Sequence, residues 1–166
     1  MKAHFEALAA YNGWANKRLY IMAANLPEDE YRRNVGAYFG SLHATLNHVL
    51  VTDRIWMRRL TGEGDHPREL NAIMYNRFGD LLAARRDEDD RIIDFVAGCG
   101  PELFEQDVAY STLGGSQHRQ KLSDILAHLF NHQTHHRGQA HTILSIVMDD
   151  LPQALDLLYF QRELKG

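Results

Sequence analysis

The chain has 166 residues, 45% hydrophobic and 24% charged, the make-up of one ordinary globular domain over 1–166, which excludes disordered and fibrous classes. A net charge of −4, with the basic pairs Arg32-Arg33, Arg58-Arg59 and Arg85-Arg86 scattered among acids, leaves no basic face for nucleic acid. The longest apolar stretches, such as residues 19–26, are far too short for a membrane span and the N-terminus lacks signal-peptide order, so a cytoplasmic protein with no membrane partner is expected.

Residues 3–25 place Phe5, Leu8, Ala9, Leu19 and Met22 at three- and four-residue steps with Pro27 beyond, which predicts a first helix. Ser41 is placed to cap a second, in which Leu42, Leu46, Val49, Trp56 and Leu60 form a stripe that ends at Thr61-Gly62. Asp53 falls inside that stripe, where a carboxylate needs an Arg, a His or a metal beside it. A polar loop with Gly64, Asp65 and Pro67 leads to a third periodic segment over 71–97, whose charged middle, 85–91, reads as a solvated face. The lone Cys99 lies between two glycines in a connector; it has no disulfide partner and is expected to be inert. Over 101–121 the helical period is lost, and an irregular loop or short hairpin with little regular structure is expected.

Ser123 followed by Asp124 opens the last long helix, to about residue 148, and a short C-terminal helix is expected over 153–163. Four long amphipathic segments without convincing strands predict an all-α protein, a four-helix bundle, with room for a crossover connection in the long loop before the fourth helix.

Ten histidines are present, half of them between positions 128 and 141. At ~100° per residue from His132, the residues Leu122, Ile125, Leu129, Ala140, Ile143 and Val147 fall between about 20° and 80°, and His136 at about 40°. His132 and His136 therefore point inward one turn apart, with His128 and His135 flanking the stripe and His141 opposite it. Two buried imidazoles leave polar nitrogens to satisfy at about 1–3 kcal/mol each, and a shared divalent metal resolves several at once. The third ligand must come from another helix. Periodicity leaves His43, His48 and Asp53 of the second helix open.

Three stretches resemble the DinB family: Tyr11-Asn12-x-Trp14-Ala15-Asn16-x-Arg18-Leu19; Thr45-Leu46-Asn47-His48 with Asp53-Arg54-x-Trp56; and His132-Gln133-Thr134-His135-His136-Arg137-Gly138-Gln139. The resemblance implies a metal-binding four-helix bundle with His48, His132 and His136 as ligands and His43 in a surface or packing role. It implies zinc or nickel as the ion, zinc first, and a homodimer. It further implies an enzyme of S-transferase or isomerase type that acts on a small-molecule substrate with a low-molecular-weight thiol. The alternatives are a metal-dependent hydrolase with Asp53 as base and a non-catalytic metal-binding stress-response protein. Three ligands leave a coordination position open for chemistry. Asp53 is then expected behind the ligands or in helix packing, with Arg137 and Gln139 beside the site or bracing a neighbouring helix. Gly138, mid-helix, suggests close approach of another helix or a ligand, and Trp14 and Trp56 read as core.

Overall fold

The computed structural model describes residues 1–65 and 67–165. The chain runs α1 (Lys2–Ala23), α2 (Glu28–Arg32), α3 (Leu42–Thr61), α4 (Phe78–Gly98), a 3-10 turn (Pro101–Glu105), β1 (Asp107–Ser111), β2 (Gln117–Lys121), α5 (Leu122–Val147) and α6 (Leu157–Glu163). It is an all-α fold with one small hairpin. Among the described residues no helix is long and apolar enough to cross a membrane.

The four long helices form a bundle in which α1 packs on α4 and α5, and α3 packs on the same two. Helices α1 and α3 therefore sit diagonally, as do α4 and α5. The connection through α2 and the one through the hairpin both cross the bundle, so the long segment before α5 does hold a crossover.

Local chemistry explains most boundaries. Ser41 Oγ accepts the Ala44 N–H at 3.2 Å, and Gly62, at φ 77°, closes α3 with its N–H on the Arg58 carbonyl at 2.9 Å. Helix α4 begins at Phe78 rather than near 71, because residues 71–77 lie across α3 and the Tyr75 carbonyl is bonded by Asn47 and His43. The expected cap at Ser123 is not used: Leu122 donates to Gln106 and β2 runs straight into α5. Residues 153–156 stay irregular, so α6 begins only at Leu157. The five-residue α2 was not foreseen; it is too short for a periodic pattern. Residues 107–121 form a regular antiparallel hairpin, Asp107 opposite Lys121 through Ser111 opposite Gln117, where little regular structure was expected. Gly115, at φ 85°, turns it, and Val108 and Tyr110 carry its half-buried face.

Two apolar clusters fill the bundle ends. One gathers Leu19, Leu42, Leu46, Leu50, Leu81 and Leu144; the other gathers Phe5, Met57, Ile92, Phe104, Leu126 and Phe130. Between them lies a buried polar waist of Asn12, Asn16, Asp53, Arg85, Asp89, Gln133 and Arg137. Arg85 donates to Asp53 at 2.6 Å and pairs with Asp89 at 3.0 Å. Asn16 donates to Asp89 at 2.9 Å. Gln133 also donates to Asp53, and Arg137 to Asn12.

This corrects the reading of 85–91 as a solvated face. Arg85, Glu88 and Asp89 are buried because α4 presents them to α1 and α3, each of which brings a partner. Only Arg86, Asp87 and Asp90 of that run stay exposed.

Other expectations shift in smaller ways. Trp14 and Trp56 are half-buried; Trp14 binds α6 through Glu163 and Phe160, and Trp56 seats the hairpin against Tyr110. Cys99 is buried, and burial pushes its thiol up, which accords with an inert thiol. Gly138 is exposed, and a Cβ built on it meets nothing within 4 Å, so no neighbouring helix comes close there. Gly138→Ala should accordingly stabilise the protein by about 0.5–1 kcal/mol through helix propensity alone. A thermal melt that falls instead of rising would reveal an unseen contact at that position.

Candidate metal centre

Each histidine owes its position to a helix. His48 projects from the N-terminal half of α3, and His132 and His136 project one turn apart from α5, which packs against it. One nitrogen from each of the three lies within 4.8 Å of the others. The ring centroids are 4.3 Å apart for His132 and His136, 4.4 Å for His48 and His136, and 5.3 Å for His48 and His132.

Hydrogen bonds set the tautomers. His48 Nδ1 lies 2.7 Å from the Leu70 carbonyl, which can only accept, so Nδ1 carries the proton and Nε2 presents a lone pair. His136 Nδ1 likewise donates to Gln139 Oε1 at 2.8 Å. The two Nε2 atoms then face each other at 3.2 Å as acceptors with no proton between them. A cation suits that geometry, and the donor set of three neutral imidazoles suits a divalent transition metal. The three histidines form a group that can hold such an ion.

Burial keeps these rings neutral. His48 is lowered to about 4, mainly by burial and further by His136, with the Leu70 carbonyl pulling the other way. His132 is lowered to about 3, by burial first and then by His136, His48, His128 and His135. Both start from an ordinary value of 6.5. As pH falls below that value the unfolded chain takes up protons here that the native state refuses, so their stabilisation is present above 6.5 and is lost toward pH 4. Asp89, raised to about 6 chiefly by burial, works in the opposite sense. The diagnostic is thus a difference: metal-free His132→Gln should lose less melting temperature than wild type between pH 7 and pH 4.5. Parallel curves would count against a neutral, half-buried His132.

The centre opens into a cavity of about 590 Å³ lined by Tyr38, Phe39, Leu70, Asn71, His135 and Gln139 besides the three histidines. Phe39 stacks on His48, with centroids 4.0 Å apart and planes at 24°. Sequence reasoning missed Phe39: it lies in a loop, and only Gly36 and Gly40, both at positive φ, hinted at a tight turn there. Gln133 of the waist was also missed, at the edge of the apolar stripe.

The remaining candidates fall elsewhere. Asp53 and Arg137 do not line this cavity; both belong to the waist, Asp53 with Arg85 and Gln133, Arg137 over the Tyr11 ring and on Asn12. His43 is buried against Tyr31 and bonded to Tyr75 and Arg32, which gives it a packing role. His128 packs on Trp56, and His141 bonds the Gln153 carbonyl on the exposed surface.

A four-helix bundle with a three-histidine group in a side cavity defines a class, that of small helical proteins able to hold a metal. The chain belongs to the DinB family, whose model matches residues 1–147. It is similar to Protein DinB of Bacillus subtilis (strain 168), 24% identical over 143 residues that cover 82% of each chain.

Proposed function

We propose that this protein is a metal-dependent enzyme that uses a low-molecular-weight thiol in an S-transfer or isomerisation reaction. The observation that carries the reading is the convergence of three neutral imidazoles at the wall of an open cavity. His48, His132 and His136 would hold the ion, zinc or nickel. A divalent ion there supplies Lewis acidity, which favours the thiolate form of a thiol and so the nucleophile the reaction needs.

The protein's own contribution is orientation and exclusion. The Leu70 carbonyl and Gln139 hold two imidazoles in the ligand tautomer. Phe39 covers one face of His48 and keeps water from it. Among the described residues lining the cavity there is no Asp, Glu, Lys or Arg; His135 and Tyr38 are the titratable groups besides the three ligands.

The hydrolase alternative needs a carboxylate base on the water. Asp53, its candidate, is 1% exposed and already accepts from Arg85 and Gln133, which counts against it. A cobalt-loaded sample discriminates: a small thiol should shift its visible spectrum, and turnover of an electrophile should require that thiol. An unmoved spectrum, or turnover that ignores the thiol, would sink the proposal. Inertness with a protein that melts on chelation would favour a structural ion.

A further inference from the structure

The mouth of the histidine cavity carries two large side chains left in water, Tyr38 at 84% exposure and Leu70 at 51%. Tyr38 is placed there by a tight turn. The Gly40 N–H reaches the Ala37 carbonyl at 2.8 Å, the Val35 N–H reaches Gly40 at 2.9 Å, and Asn34 Oδ1 accepts the Gly36 N–H at 2.9 Å. Gly36 at φ 76° and Gly40 at φ 81° permit that path. The turn holds Tyr38 at 4.8 Å from Phe39, edge to face, and Phe39 in turn stacks on His48 and lies 5.7 Å from His136. A continuous aromatic wall therefore runs from solvent to the three histidines.

Recognition at such a wall is by shape and π-face. No charged side chain among the described lining residues stands ready to pair with an ionic group on a substrate's body. A cavity of about 590 Å³ has room for one ring system beside a small thiol. An exposed aromatic on a braced turn also loses little conformational freedom when a ring stacks on it. We infer that the acceptor substrate of this centre carries a planar, uncharged ring, seated between Tyr38 and Leu70 with Phe39 at its inner edge, and that Tyr38 is the residue that selects it. This rests on the reading of the histidine centre as the reactive one.

Two compounds that share a nitro group isolate the ring: nitrobenzene is planar and nitrocyclohexane is puckered. Their dissociation constants for zinc-loaded protein are measured by ligand-observed NMR, with no thiol present and with zinc content determined in parallel. Wild type should prefer nitrobenzene by about fivefold, the scale of one aromatic contact. Tyr38→Ala should erase the preference and Tyr38→Phe keep it, with zinc content unchanged in both, since a side chain so exposed contributes little to the fold. Equal affinities in wild type, binding of neither compound, or a preference that survives Tyr38→Ala overturns the inference. Because no thiol is present, a protein that passes this test but fails the cobalt test loses only the thiol reading.

Discussion

His132→Ala and His48→Ala should each lower zinc affinity by more than about a hundredfold, since loss of even a group that orients a ligand costs 10–100-fold and here a ligand itself goes. The two residues come from different helices, α5 and α3, so their joint requirement tests the convergence and not merely the His-x-x-x-His spacing. Two controls make the result specific. His43→Ala, on α3 but turned toward Tyr31 and Tyr75, and His141→Ala, on α5 but bonded to Gln153, should retain stoichiometric metal. Elemental analysis after gel filtration reads all four variants. Retention of metal by both ligand variants would refute the site.

The second large effect lies in the waist. Arg85→Met should destabilise the protein by about 3–5 kcal/mol, because it strands two buried carboxylates, Asp53 and Asp89, in a low-dielectric interior. Burial works against the charge of Arg85, yet Asp89 and Asp53 together hold its pKa above the ordinary range. By contrast, removal of the exposed Arg119–Asp107 pair on the hairpin should cost less than about 1 kcal/mol. Urea midpoints of both variants supply the comparison. If Arg85→Met costs no more than the hairpin variant, the waist is not a coupled ionic network.

The waist also clarifies what the resemblance motifs contain. Of their residues, His48, His132, His135, His136 and Gln139 line the cavity, whereas Asn12, Asn16, Asp53, Gln133 and Arg137 meet in the waist. A single helical stretch, 132–137, thus serves two layers, its histidines turned to the cavity and its Gln133 and Arg137 to the interior. Angular position on α5 separates these jobs only loosely, since a helix in a bundle buries more than one face.

Much was legible from the chain alone. Ser41 and Gly62 marked both ends of α3 because caps are local chemistry. The placement of His136 on the apolar stripe followed from helix period. Local pattern misled where the deciding partner lay far along the chain. The 85–91 run looked solvated because its partners, Asn16 and Asp53, sit 73 and 32 residues away from the residues they bind. Gly138 suggested a close neighbour that packing did not bring.

By itself, then, the sequence determined the long helices and the inward-facing His132 and His136, because both depend on interactions within a few residues. Tertiary structure decided that His48 and not His43 or Asp53 of α3 faces them, that a carbonyl at Leu70 fixes its tautomer, and that a turn at residues 37–40 walls the cavity with aromatic rings. Those outcomes depend on the rotation of α3 against α5 and on where two loops come to rest. Both are set by burial and pairing across the bundle, which no local spacing records.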